Sequence, residues 1–323
     1  MKNKYKDYFE PYFKAASLPV INGDKPLVSI LTAHFNNTEY LNDFINSILA
    51  QTYQNWELLF VDDCSPNGGA ESILQEYNDN RIKFYKMPQN SGGGAARTEA
   101  FKKSIGNFII YFDSDDIMHP WYIQSLMAKA LAPTSPDIVM FDYIGFGDSI
   151  PPYLGKSKVK TEKDLTISNW LIGQSLVKRK LWEVTGGQSL APEIRYGSQD
   201  WEFWLHAFKK CSPLNVVHTE LPLMLYRQHT ASISRKSPYH EHIIRRYILS
   251  KHSSLFIRHQ TGKIFLTEGY EMALFANLGK RDWKKAASIF VDGLYQECRI
   301  PFFIKICKRL SLALYKRLMC HLW

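Results

Sequence analysis

The sequence predicts an α/β fold: an open, mostly parallel sheet flanked by helices, followed by a helical C-terminal region. Three observations lead there. Apolar runs and segments of helical period alternate in the order β-α-β-α-β-α-β between Pro26 and Asp116. The apolar runs are continuous rather than alternating, as strands covered on both faces are. Each run closes on polar or acidic residues, and in open α/β sheets the ligand crevice lies at the carboxyl ends of the strands.

The elements follow in order. Residues 1–25 read as a partly helical leader. Pro26 opens the first strand, Leu27–Thr32, and a polar turn from His34 to Thr38 leads into a helix carrying Leu41, Phe44, Ile45, Ile48 and Leu49 at helical spacing. Glu57–Val61 is a second strand, ending in Asp62 and Asp63. A helix over Ala70–Tyr77 and a short strand over Ile82–Tyr85 come next. The glycine-rich turn Ser91–Gly94 precedes a helix over Ala95–Ser104, and Phe108–Phe112 forms a strand that ends in Asp113-Ser-Asp-Asp116. Residues 134–239 are mixed, with a strand at Ile138–Phe141 and a helix at Trp201–Phe208. From about His240 onward the pattern is mostly helical.

Composition bounds the function. The chain has 323 residues, 45% hydrophobic and 22% charged, which excludes disorder and allows a sizeable core. Its formal net charge of +9 is unevenly placed: residues 240–323 hold 15 basic and 6 acidic residues, while residues 1–239 are neutral. A neutral body argues against a nucleic-acid cradle. No apolar run reaches the roughly 20 residues of a membrane span, and the N-terminus has no apolar signal core. Five cysteines without CxxC spacing read as reduced thiols. Together these predict a cytoplasmic protein.

Asp113, Asp115 and Asp116 are the strongest chemical signal. Three carboxylates in four residues repel one another, and a divalent cation relieves that repulsion. Oxygen ligands select Mn²⁺ or Mg²⁺, with substrate phosphates completing the shell; the alternative is a solvated helix cap before Ile117. Asp62 and Asp63 suit a base or ribose and equally suit a turn. The Ser91–Gly94 turn with Arg97 lacks the Lys of a phosphate-binding P-loop, but places a helix start and a guanidinium near the crevice. Asp200 is a general base or a helix cap. Arg227 and His229 are ligands for phosphate or metal, or surface residues.

In combination these segments resemble family 2 glycosyltransferases of the GT-A fold. Val28–Asn36 resembles that family's opening strand and turn, Glu57–Ser65 its paired-acid segment, and Asn90–Ala100 its glycine–arginine segment. Phe112–Asp116 resembles its DxD segment, Gly197–Phe203 its "GEDxEF" segment, and Tyr226–Ser234 its "YR.H" segment. The resemblance covers residues 26–235. It implies a nucleotide-binding half over about 26–133 and an acceptor half over about 134–239, with 240–323 as a separate basic helical region. It further implies Phe35 near the uracil ring, Asp62 and Asp63 at the base, Arg97 near the nucleotide, and Asp113 toward the ribose. Asp115, Asp116 and His229 fall at the metal. Asp200 falls on the catalytic base, with Arg227, Gln199 and Trp201 near the diphosphate or acceptor.

The implied reaction is an inverting, metal-dependent transfer of a hexosyl or N-acetylhexosaminyl group. The donor is a UDP-sugar and the acceptor a hydroxyl of a saccharide, free or lipid-linked, in surface polysaccharide or glycan synthesis. Three departures stand out: Ala33-His34 in the first turn, Thr98-Glu99 after the arginine, and Gln199 where the family carries Glu. Two rivals remain: a nucleotidyltransferase, which should carry a glycine-rich basic loop after the first strand, and a non-catalytic scaffold that binds saccharide or membrane. Residues 300–323 read as a basic amphipathic helix, with Lys305, Lys308, Arg309 and Lys316 within about a third of its circumference. This suits the inner face of an anionic membrane, or packing on the body or in a homodimer.

Overall fold

A computed structural model of the protein describes residues 3–148, 150–230, 232–296 and 304–309. The chain divides into two compact units: Met1–Thr161, Asn169–Ala191 and Gln199–Thr230 form the first, and Glu162–Ser168, Pro192–Ser198 and Ala231–Trp323 the second.

The first unit is built on a nine-stranded sheet. Its strands are β1 (Val28–His34), β2 (Trp56–Asp62), β3 (Ile82–Lys86), β4 (Phe108–Tyr111), β5 (Ile117–Met118), β6 (Ile138–Gly147), β7 (Ile150–Gly155), β8 (Leu176–Lys178) and β9 (Val216–Gln228). They run in the order β3-β2-β1-β4-β8-β6-β9-β5, with β7 on β6. The four strands from β3 to β4 are parallel, as the continuous apolar runs predict. Beyond β4 the sheet is mixed: β8 and β5 run antiparallel to their neighbours, and β6 and β9 pair in parallel.

The first unit's helices are α1 (Asn3–Phe13), α2 (Leu41–Leu49), α3 (Ala70–Gln75), α4 (Gly93–Lys103), α5 (Tyr122–Ala130), α7 (Arg179–Thr185) and α8 (Gln199–Cys211); α6 (Glu162–Leu165) belongs to the second unit. The core joins Ile30, Leu58, Phe60 and Ile110 of the sheet to Phe44, Ile45 and Ile48 of α2 and to Tyr122 and Leu126 of α5, all buried. Burial of these side chains, at roughly 25 cal/mol per Å² of apolar surface, is what fixes the strand ends relative to one another.

Two sequence expectations change. The helix expected over Ala95–Ser104 starts at Gly93, because Gly92 at φ 92° makes the turn and the chain is helical from the next residue. No helix begins at Ile117. The acidic turn runs instead into β5, which pairs with β9, so capping does not account for its carboxylates.

The second unit is helical, with α9 (Ile233–Lys236), α10 (Glu241–Lys251), α11 (Ser253–His259), α12 (Gly262–Gly279) and α13 (Trp283–Tyr295). Residues 304–309 are also helical. There Ile306 joins the buried cluster of Tyr270, Ala273, Leu274, Ala286 and Ile289. Lys305 and Arg309 both reach Glu271, at 2.8 and 2.6 Å. Over these six residues the packed reading of the basic segment holds; the rest of 300–323 lies outside the described residues. No helix among the described residues is long and apolar enough to cross a membrane.

Candidate active site

The site forms where β1, β2 and β4 end together. In the parallel register His34 stands opposite Asp62, and Leu31 opposite Tyr111. The Phe112 amide donates to Leu31, and Thr32 Oγ1 donates to the Phe112 carbonyl. His34 Nδ1 lies 3.1 Å from Ser114 Oγ, which ties the first turn to the acidic one. Burial holds the His34 imidazole below its ordinary pKa. Next to it Phe35 is 45% exposed at the crevice edge.

The two paired acids do different work. Asp62 accepts from the Ser65 amide at 3.2 Å and from the Ser65 hydroxyl, closing its own turn. Asp63 accepts from the Ser91 and Gly92 amides at 2.7 Å, one on each oxygen. It therefore pins the glycine-rich turn to the end of β2, and the start of α4 is set by that pin.

Arg97, one turn into α4, has 13% of its side chain exposed. Its Nη2 pairs with Asp113 Oδ1, and its Nη1 donates at 3.2 Å to both Gln188 Oε1 and Gln199 Oε1. Its guanidinium lies 4.6 Å over the Tyr111 ring. Burial would lower the Arg97 pKa, but Asp113 and the other acids outweigh it and the guanidinium is held cationic. Asp113 Oδ2 accepts from Gln174 Nε2 at 3.2 Å. Gln199, the residue that departs from the resemblance, is thus an acceptor for Arg97.

Asp200 follows in the first turn of α8. Its Oδ2 accepts from Asn169 Nδ2 at 2.8 Å. Burial raises its pKa above the ordinary carboxyl value, against the Trp201 amide, Asn169 and Arg97, which lower it. Gly173 lies beside it: a Cβ there would meet the Tyr111 hydroxyl at 1.6 Å and Asp200 Cβ at 3.3 Å, so only glycine lets these groups meet. Trp201 is buried and backs the site as part of the core.

On the other side of the acidic turn, Asp115 Oδ2 lies 3.0 Å from His229 Nε2. Asp116 is fully buried; its Oδ1 accepts from the Arg227 amide at 2.8 Å, and its Oδ2 has no hydrogen-bond partner. Burial, with Asp115 and Asp113 beside it, pushes its pKa well up. Arg227 turns its Nε onto the Asp115 carbonyl at 2.8 Å. Among the described residues no three His, Cys, Asp or Glu side chains converge into a ready-made metal cage. One or two carboxylates with an imidazole nonetheless match a hard cation whose shell substrate phosphates complete. The partnerless Asp116 oxygen fits that donor set, because buried polar atoms ordinarily find a partner.

Of the sequence-predicted residues, Arg97, Arg227 and His229 meet Asp113, Asp115 and Asp116 at the acidic turn, Gln199 and Asp200 lie beyond Arg97, and Phe35, Asp62 and Asp63 stand at the ends of β1 and β2. Sequence reasoning missed Asn169, Gln174 and Gln188, which orient Asp200, Asp113 and Arg97. Carboxamides carry no charge and follow no spacing, so nothing in the chain marked them.

Residues 29–191 match the family model described as Glycosyl transferase family 2. TuaG of Bacillus subtilis, a glycosyltransferase named for teichuronic acid biosynthesis, is 32% identical over 194 residues, 58% of this chain and 73% of its own. WfgD of Escherichia coli, named a UDP-Glc:alpha-D-GlcNAc-diphosphoundecaprenol beta-1,3-glucosyltransferase, is 42% identical over 94 residues, 29% of this chain and 37% of its own. Among solved structures, the mannosyltransferase PcManGT of Pyrobaculum calidifontis in complex with GDP-Man and Mn²⁺ superposes with a TM-score of 0.57. It is 14% identical and covers 97% of this chain and 88% of its own.

Proposed function

From a chain that belongs to glycosyl transferase family 2 and has the GT-A fold, we propose a metal-dependent, inverting transfer of one sugar. The donor is a UDP-sugar, the group moved is hexosyl or N-acetylhexosaminyl, and the acceptor is a saccharide hydroxyl in surface polysaccharide synthesis. The observation that carries this reading is the meeting of Asp113, Asp115 and His229 at one turn at the strand ends, with Asp200 close enough to feel the charge of the same Arg97 that pairs with Asp113.

Phe35 offers its exposed ring to the base, and Asp63 orders the turn beside it. Asp113, held by Arg97 and Gln174, faces the ribose. Asp115 and His229, with Asp116 behind them, would hold Mn²⁺ or Mg²⁺, which when bound offsets the charge on the diphosphate. Asp200 takes the proton of the acceptor hydroxyl. That oxygen bonds to the anomeric carbon as the bond from that carbon to the UDP oxygen breaks, on the opposite face, so configuration inverts. A raised pKa suits a base that must hold a proton in the transition state. The WfgD name supports UDP as the nucleotide and a lipid-linked saccharide as the acceptor class, and the PcManGT complex supports a metal.

The test is incubation with a panel of UDP-sugars and Mn²⁺ in the presence of saccharide acceptors. Release of UDP with an elongated acceptor of inverted anomeric configuration is expected. Release of pyrophosphate would instead mark a nucleotidyltransferase, and no turnover of any sugar nucleotide would mark a scaffold.

A further inference from the structure

Arg227 is set differently from a phosphate-binding arginine. Its backbone amide holds Asp116 and its Nε holds the Asp115 carbonyl. Its guanidinium carbon lies 4.3 Å from the centre of the Tyr40 ring, 4.7 Å from Phe146 and 6.0 Å from Tyr5. Its Nη2 is 3.4 Å from the Tyr5 hydroxyl and 3.9 Å from Asp43. The Tyr5 hydroxyl in turn donates to Asp43 at 2.5 Å.

Tyr5 belongs to α1, ahead of the segment that matches the family model. That helix is anchored on the strand that leaves the acidic turn. Tyr5 and Phe9 are buried with Ile117, Ile144, Phe146 and Leu225, and Phe13 stacks on His119 with ring centres 3.8 Å apart. The exit from the turn through β5 and the clasp on the turn from Arg227 of β9 therefore both run against one helix.

We propose that α1 is a working part of the donor site, with Tyr5 and Arg227 as positioning residues that hold the Asp115–Asp116 turn in the geometry the metal and diphosphate require. The guanidinium is spent on the turn's backbone and on an aromatic cage rather than on the diphosphate. A carbonyl fixed by Nε and a carboxylate fixed by the adjacent amide leave the turn little freedom. Preorganised donor groups of this kind bind charge without reorganising for it. The proposal rests on the reading of this turn as the donor site.

The test uses the full chain with Tyr5→Ala and Tyr5→Phe. Amide hydrogen exchange without ligand reads the turn itself, and calorimetric UDP titration at increasing Mn²⁺ reads its consequence. In Tyr5→Ala, exchange over residues 113–118 should rise at least tenfold while β3 is unchanged, and the Mn²⁺ concentration for half-maximal UDP binding should rise at least threefold. Tyr5→Phe, which keeps the ring and loses the bond to Asp43, should show smaller shifts in the same direction. Wild-type exchange at the turn and unchanged Mn²⁺ dependence in both variants would overturn the proposal. If Tyr5→Ala loosens the whole sheet, Tyr5→Phe decides: exchange raised only at the turn supports the proposal, and none overturns it. If the wild type binds no UDP with Mn²⁺, the donor-site reading fails, and the exchange data still decide whether α1 holds the turn.

Discussion

Two arginines flank the same acidic turn and treat it in opposite ways. Arg97 meets a carboxylate: it neutralises Asp113 and is itself braced by Gln188 and Gln199. Arg227 meets backbone, fixing the Asp115 carbonyl through Nε and Asp116 through its own amide. One side sets charge and the other sets shape. The difference matters because a carboxylate already paired with Arg97 is poorly placed to bind a cation. Asp115, whose partner is a histidine, keeps that capacity. On the proposed function, the pairing sorts three neighbouring acids into separate tasks.

The largest expected effect lies on the Arg97 side, where Asp200 closes the site. Asp200→Asn should lower the transfer rate by about 10² to 10⁴, the usual worth of a general base, while UDP affinity stays near that of the wild type. Normal turnover in that variant would remove the assignment. The next effect is on stability. Arg97→Met leaves Asp113 without its cation, and denaturant titration should show a loss of about 3 kcal/mol, the lower end for a broken buried pair because Asp113 is partly exposed. A loss below about 1 kcal/mol would mean that Arg97 serves the ligand and not the fold.

The third effect belongs to the Arg227 side and depends on pH. His119 is buried against Phe13, accepts the Trp121 amide on Nδ1 at 3.1 Å, and has its pKa lowered by burial to about 3. The folded state binds a proton more weakly than the unfolded chain, so protonation favours unfolding. This stability is fully present above about pH 6.5 and is lost as pH falls from there toward 3. Between pH 7 and pH 4 the thermal midpoint of the wild type should drop further than that of His119→Gln. Equal drops would show that the packing of α1 on His119 carries no such linkage.

How far the sequence reached follows the same division. The parallel half was legible because β1, β2 and β4 are largely apolar, buried runs that stop at polar turns. Asp62, Asp63 and Asp113 stood at those stops, and Arg97 followed a glycine-rich turn. The far half was harder to read. β5 has two residues, and β9 carries Pro222 and polar residues through its length, so neither shows a period. The Arg227 cage joins Tyr5 to a residue 222 positions away, and no local pattern encodes such a pairing. Gln199 read as a missing charge; in the structure its carboxamide oxygen serves Arg97.

We propose that Asp115, and not the acid already paired with Arg97, carries the metal-dependent grip on the donor. Calorimetric titration of UDP in the presence and absence of Mn²⁺, on the wild type and on Asp115→Ala, tests it most directly. The wild type should bind UDP at least tenfold more tightly with Mn²⁺, and Asp115→Ala should lose that gain while keeping its metal-free affinity. The same Mn²⁺ enhancement in both proteins would show that Asp115 does not hold the metal.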